Sequence, residues 1–133
     1  MKRVYDFLKE AGTYYLATVD GDQPRVRPFG TIHIYNGKLY IQTGKGKDVM
    51  KQIMTSPKVE LCAMKGGDWI RLCGTLVLDE DVAAQESMLD EYADLRKMYS
   101  TGPDGNTAVF YFTDATATIS SFTHAPEIIQ LQG

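Results

Sequence analysis

Cysteine is scarce: Cys62 and Cys73 are the only two in 133 residues. Two thiols cannot build a disulfide framework, and neither sits in a metal-ligand spacing. If their strands join at Gly66-Gly67, Cys62 faces Arg71 and Cys73 lies one diagonal step away. Such neighbours are about 7–8 Å apart, beyond comfortable disulfide reach, so both are expected to be reduced, sheltered thiols. Long apolar runs are also missing. None approaches the roughly 20 residues that a membrane-spanning helix needs. The charged, amphipathic start, Met1–Glu10, lacks the apolar core of a signal peptide, which makes the cytoplasm the expected location. Positive charge is not in surplus either: 14 basic against 17 acidic side chains give a net charge of −3. That balance, with a single Trp, argues against nucleic acid as a partner and against an oligonucleotide-binding barrel. No repeat, linker or low-complexity stretch interrupts the chain.

Familiar catalytic patterns are absent as well. There is no G-x-S-x-G nucleophile elbow. Gly44-Lys45-Gly46-Lys47 lacks the earlier glycine of a phosphate-binding P-loop. His33 and His124 are far apart, with no carboxylate or cysteine pattern suggesting zinc, and fit a strand surface and a tail. Asp79-Glu80-Asp81 fits a solvated helix N-terminus, where negative charge complements the helix dipole.

What is present describes one globular domain, residues 1–133, with 44% hydrophobic and 23% charged residues. Aromatics at 11% and twelve glycines favour sheet over helix. Val4, Phe7, Leu8 and Ala11 recur at helical spacing before Gly12, predicting a short helix over 2–11. A strand over Thr13–Val19 ends at the Asp20-Gly21 turn. A second is expected from about Arg25 to Tyr35, with Pro24 and Pro28 confining its start to an edge or a bulge. Asn36-Gly37 suits a tight hairpin into Lys38–Thr43. A helix over about Asp48 to Thr55 stops at Ser56-Pro57. Lys58–Lys65 and Asp68–Asp79 form a hairpin, with Ile70, Leu72, Leu76 and Leu78 on one face and Trp69, Arg71 and Cys73 on the other. A helical stretch from Asp81 to about Tyr99, a loop at Thr101–Asn106, strands at Ala108–Phe112 and Ala115–Phe122, and a short tail complete the chain. The expected fold is mainly β with peripheral helices, a six- to seven-stranded antiparallel barrel whose closure would remove exposed edges.

One constellation has chemical promise. A strand ending in Gln42-Thr43 runs through Gly44-Lys45-Gly46-Lys47 directly into a helix. A hydroxyl, two lysines, turn glycines and a helix N-terminus together suit a phosphate monoester. Taken alone, a basic solvated loop accounts for the same residues better. Arg25 and Arg27 add positive charge on one face of a neighbouring strand, which beside a phosphate loop suits an electron-rich ring or its polar tail.

The order of these parts resembles the pyridoxamine 5′-phosphate oxidase-like, FMN-binding split-barrel family, and more closely its short bacterial, nitroimidazole-resistance-like members. The resemblance rests on Tyr14–Val19, on Asp20-Gly21-Asp22-Gln23-Pro24-Arg25-Val26-Arg27-Pro28, and on Leu39–Thr43 with the basic loop. Ser56-Pro57-Lys58-Val59 and Trp69–Gly74 extend it over the first 80 residues or so. It implies a split β-barrel homodimer with FMN held at the dimer interface. By position, Arg25, Val26, Arg27 and Pro28 would lie along the flavin ring and ribityl chain. Gln42 and Thr43 would follow ribityl and phosphate. Lys45, Lys47 and Lys51 would hold the phosphate, and Trp69 would wall the ring from the partner subunit. Asp48 stands where the oxidase has a base, or else caps the helix. The Trp and Arg residues of the oxidase's C-terminal signature have no match in Pro126–Gly133, which sets the chain apart from pyridoxamine phosphate oxidation itself. The implied activity is FMN-dependent reduction of a small organic substrate, with no side chain singled out as an acid–base catalyst. The alternative is a non-enzymatic flavin- or haem-binding storage or sensor protein.

Overall fold

The computed structural model describes residues 1–131; Gln132 and Gly133, the end of the expected tail, lie outside the described residues. Helix α1 (Lys2–Ala11) buries Val4, Phe7 and Leu8 along one stripe. Gly12 ends it in the left-handed region at φ 82°, where its N–H bonds Leu8 O at 3.1 Å. Strands β1 (Tyr14–Asp20) and β2 (Gln23–Phe29) pair across a two-residue turn at Gly21-Asp22. Strand β3 (His33–Tyr35) and β4 (Lys38–Gly44) pair across Asn36-Gly37, both with positive φ as a type I′ turn requires. Helix α2 (Asp48–Thr55), the hairpin β5 (Lys58–Lys65) and β6 (Asp68–Asp79), and helix α3 (Val82–Glu91) follow. A 3₁₀ turn (Ala93–Lys97), β7 (Thr107–Ser121) and β8 (Glu127–Gln130) complete the order.

The sheet is antiparallel throughout and runs β2-β1-β5-β6-β7-β4-β3, with β8 beside the far half of β7. Its eight strands exceed the expected six or seven because the tail pairs Glu127–Gln130 with β7. The barrel does not close. Its edge strands are β2 and β3, consecutive in the chain yet at opposite ends of the hydrogen-bonded order. The stretch expected as one strand to Tyr35 is therefore two, broken at Gly30-Thr31-Ile32, and this break spans the split. Prolines 24 and 28 do lie on an edge strand, where a missing N–H costs no ladder bond.

Three further expectations change. The two strands expected after Asn106 are one, β7, with a bulge at Asp114 (φ 50°). Between the pairs Cys73–Thr116 and Thr75–Thr113, β7 carries one residue more than β6. Gly74 makes this possible, because a Cβ there would sit 2.7 Å from Ala115 Cβ. The long acidic helix stops at Glu91, where Tyr92 leaves helical geometry (φ −122°, ψ 61°). Cys62 and Cys73 are unpaired as expected but exposed, not sheltered, since both point to the outer face of the sheet. The inner face carries the core: Leu16, Leu61, Ile70, Leu72, Phe110 and Phe112 are all at most 2% exposed and pack with Phe7 and Leu8 of α1. Each such burial contributes about 1.5–3 kcal/mol.

Candidate functional site

The split holds a cleft. Its floor comes from the end of β2 and the crossing segment (Arg27 to Thr31), from Gln42 and Thr43 of β4, and from Val49 of α2. The cavity measures about 340 Å³ and opens past Arg27, Lys47 and Val49 into a shallower groove of about 640 Å³. Arg25, Val26 and Lys51 line that groove with Asp20, Asp48 and Gln52.

Register explains why β2 supplies the charge. Arg25 faces Thr18 and Arg27 faces Leu16, both buried on β1, so the two arginines lie toward the barrel interior while Val26 points outward. Arg25 is drawn to the rim by Asp20, with Nε donating to Oδ2 at 3.1 Å. Arg27 is half-buried and held on three sides. Its Nη1 donates to Leu16 O (3.1 Å) and Thr18 Oγ1 (2.7 Å), and its Nη2 to Gln52 Oε1 (2.6 Å). Burial, then the neighbouring Arg25 charge, lowers the Arg27 pKa. None of these partners is anionic. Among the described residues no carboxylate pairs with Arg27, Lys47 or Lys51.

Helix α2 begins at the junction of cleft and groove. Lys47 is its N-cap residue and Asp48 the first residue of its first turn, so Asp48 is not the cap. The first turn of a helix presents N–H groups without intrahelical acceptors, and its dipole favours an anion. The basic loop bends tightly enough for Lys47 N to bond Gly44 O at 3.2 Å. A Cβ on Gly44 would meet the Tyr99 ring at 3.1 Å, so this glycine keeps the opposite wall in place.

That opposite wall is apolar and aromatic. Tyr92, Leu95, Met98 and Tyr99 line the cleft from beyond α3. Tyr92, Leu95 and Met98 fall within the stretch from Asp81 to about Tyr99 expected as one helix; the early stop of α3 turns them into a wall. Tyr92 also ties this wall to the crossing segment, its hydroxyl accepting from Ile32 N–H and donating to Ile32 O, both at 3.0 Å. Thr31, another residue the sequence did not single out, accepts from Gln42 N–H at 3.1 Å and fixes the segment to β4. No sequence signal marks either Thr31 or the Tyr92 break, because both depend on which segments meet across the split.

Of the residues singled out by sequence, Arg25, Val26, Arg27, Pro28, Gln42, Thr43, Lys47 and Lys51 surround the cleft and groove. Two stand apart. Lys45 turns the other way, with Nζ donating to Gly102 O (3.2 Å) and Pro103 O (3.4 Å). Trp69 lies on the outer face of β6, half-buried against Phe122 with ring centroids 5.1 Å apart.

His33 is not a surface histidine. It is buried, with Nδ1 2.5 Å from Glu91 Oε1 and Nε2 2.7 Å from Ser87 Oγ. Glu91 also accepts from Tyr5 and pairs with Lys9 at 2.8 Å, and Lys9 lies 4.0 Å over the Tyr92 ring. This cluster braces the cleft wall from behind, and His124 lies at a different cavity. Neither histidine lines the cleft.

The sequence model of the pyridoxamine 5′-phosphate oxidase family matches residues 1–118. This chain belongs to that family. A NimC/NimA family protein from Clostridium acetobutylicum is 45% identical, with a TM-score of 0.94 over 98% of this chain and 92% of that one. Two distant structures share the fold. A pyridoxamine 5′-phosphate oxidase-related, FMN-binding protein from Nostoc punctiforme is 16% identical, with a TM-score of 0.65 over 96% of this chain and 92% of that one. A haem-binding protein from Mycobacterium smegmatis is 13% identical, with a TM-score of 0.68 over 92% of this chain and 57% of that one. Among curated protein sequences none matches. The family's split barrel is thus the fold seen here, an antiparallel sheet left open at one seam.

Proposed function

We propose that this family member is an FMN-dependent oxidoreductase that reduces a small organic substrate, with the flavin in the cleft at the barrel split. The observation that carries this reading is the pairing of three cations without carboxylate partners, Arg27, Lys47 and Lys51, with an aromatic wall across the same cavity. A dianionic phosphate fits beside Lys47, Lys51 and the first turn of α2. The buried polar side chains of Gln42 and Thr43 suit a ribityl chain. The apolar lining that Pro28, Phe29, Tyr92 and Tyr99 give the cleft suits a planar ring. When bound, FMN supplies the redox chemistry, and the protein orients it and sets the charge around it. Arg27, fixed by three neutral acceptors, places positive charge where cleft and groove meet, beside Lys47.

A homodimer belongs to the same reading. The outer face of the sheet exposes Tyr15 (53%), Val26 (67%), Met64 (64%), Ile128 (67%) and Phe122 (92%), beside half-buried Trp69. Tyr15, Cys62, Arg71, Thr118 and Ile128 lie in one register row across β1, β5, β6, β7 and β8. Apolar surface of this kind marks an interface, and through Val26 and Pro28 it reaches the strand that borders the cleft. A partner on this face could bring its own Trp69 to the flavin. Unpaired Cys62 and Cys73 fit a reducing, cytoplasmic compartment.

The test is an absorption spectrum of the purified protein, followed by titration of the ligand-free protein with FMN, riboflavin and haemin. Flavin bands and FMN binding far tighter than riboflavin are expected. Riboflavin binding as tightly as FMN would remove the phosphate site. A Soret band with no flavin affinity would replace this reading with haem binding, and a bound flavin that no reductant reduces would leave a flavin carrier.

A further inference from the structure

His33 makes two contacts for which the flavin cleft has no use. Its Nδ1 lies 2.5 Å from Glu91 Oε1, and its Nε2 lies 2.7 Å from Ser87 Oγ. Ser87 and Glu91 stand about one turn apart on α3, whereas His33 comes from β3, 54 and 58 residues away in the chain. A hydroxyl, an imidazole and a carboxylate in that order are the parts of a nucleophile, its general base and the group that orients the base. Such a set is recognised by its geometry and not by the order of its residues in the sequence.

The surroundings give each group a direction. Tyr5 and Lys9 both reach Glu91 Oε2, which leaves Oε1 to His33. Burial pushes the Glu91 carboxyl up, but hydrogen bonds from His33, Lys9 and Tyr5 outweigh that and keep it ionised. A carboxylate only accepts, so the network assigns the proton of the neutral imidazole to Nδ1 and turns the Nε2 lone pair to the Ser87 hydroxyl. The Tyr35 ring stacks on the imidazole, centroids 6.5 Å apart and planes within 12°, and fixes its plane. A serine inside a helix commonly turns its hydroxyl back on a carbonyl of the preceding turn; Ser87 donates across to another element instead. Ser87 is half-buried and lines neither the cleft nor the groove.

We propose that Ser87 is a nucleophile that accepts a short acyl group from an activated ester, with His33 as its general base and Glu91 as the positioning residue. Ser87 Oγ attacks the carbonyl carbon while its proton passes to His33 Nε2. The bond from that carbon to the ester oxygen breaks, and the departing alcohol takes the proton from His33. Water then repeats the sequence on the acyl-serine, releasing the carboxylic acid and restoring the hydroxyl. The acyl group is of acetyl size, because a half-buried serine outside both cavities has no pocket to house a longer chain. The same lack of a pocket makes acylation the expected event and turnover slow. This activity is independent of the flavin.

The test is exposure of the whole protein, with and without FMN, to p-nitrophenyl acetate, with peptide mass spectrometry locating the acetyl groups over time. Acetylation of Ser87 well ahead of the exposed Ser100 is expected, at a rate that FMN leaves unchanged. Ser87→Ala, which removes one half-buried oxygen, should abolish that adduct and leave FMN binding intact. His33→Gln should slow acetylation of Ser87 about a hundredfold or more, the usual worth of a general base. NMR of the His33 ring nitrogens should show the proton on Nδ1, and Glu91→Met should lose both that tautomer and most of the rate. Acetyl groups on lysines alone, or on Ser87 no faster than on Ser100, would overturn the proposal and leave the three side chains as a structural brace. An equal rate in His33→Gln, or a proton found on Nε2, would overturn it too.

Discussion

Lys45 and Lys47 are two residues apart yet line different cavities, so the basic loop is not one cationic cluster. Lys47→Ala and Lys51→Ala should each weaken FMN binding by about 1.5–3 kcal/mol, the range of a charge-assisted hydrogen bond, whereas Lys45→Ala should leave it nearly unchanged. Fluorescence titration of FMN checks this, and a large loss in the Lys45 variant would return that side chain to the phosphate. Glu91 is the second telling residue. Burial pushes its carboxyl up, but hydrogen bonds from His33, Lys9 and Tyr5 outweigh that and hold it below the usual carboxylate range. A depressed folded pKa stabilises above the unfolded value, and that contribution fades as pH falls through the folded one. Its partner Tyr5 is pushed from 10.0 to about 12 by burial and then by Glu91, so its contribution holds below 10 and is lost as pH rises toward 12. Glu91→Gln should therefore cost on the order of 1 kcal/mol at neutral pH, since the site is partly exposed. It should also flatten both the acid and the alkaline arm of a urea-midpoint-against-pH curve. A variant curve parallel to the parent's would mean that the cluster does not act as a coupled unit.

At the scale of elements, the crossing segment Gly30–Ile32 and the bulge in β7 shape the cleft. Tyr92 holds the segment by two hydrogen bonds to one residue, Ile32. Tyr92→Phe leaves that N–H and C=O unsatisfied, for a loss of about 1–3 kcal/mol. Because the ring remains, FMN affinity should fall less than stability does, and parallel losses would show that the hydroxyl shapes the flavin pocket directly. The bulge lets the 15-residue β7 pair with β6 along its length and with β4 and β8 on its other edge. Gly74→Ala places a methyl against Ala115 Cβ and, at 3.2 Å, Thr113 O. Overpacking of that kind costs about 1–3 kcal/mol, readable as a lower urea midpoint with the m-value unchanged. An alanine variant as stable as the parent would mean that the two strands separate freely at the bulge.

For the whole molecule, the open seam and the exposed outer face belong together. The seam gives a cleft with one polar, cationic wall and one aromatic wall, and the outer face exposes apolar side chains from Tyr15 to Ile128. Light scattering at micromolar concentration should report a dimer with flavin bound. Met64→Asp, on the exposed outer face beside Trp69, should shift it toward monomer and weaken FMN binding together. FMN should quench most of the emission of Trp69, the single tryptophan, in the dimer but not in the monomeric variant. A monomer that binds and is quenched as the parent is would place the whole flavin site within one chain.

Much of this architecture is local and was legible in the residues. Helical spacing before Gly12 set α1, Asn36-Gly37 set a hairpin, Gly66-Gly67 set the β5–β6 register, and Ser56-Pro57 ended α2, because each depends on neighbours a few positions away. The cationic lining of the cleft and groove was legible for the same reason, since Arg25, Arg27 and Lys47 flank recognisable strand and helix ends, whereas Lys51 came only with the family resemblance. The rest is non-local. Where the barrel stays open depends on which edges meet, and the tail becomes β8 only because β7 offers it an edge. The bulge at Asp114 needs Gly74 from another strand. The stop of α3 coincides with the Tyr92 hydroxyl bonding a backbone 60 residues away, and local propensity carries no trace of that partner. The direction of Lys45 was set the same way, by two carbonyls of a loop that only the folded chain brings within 3.4 Å.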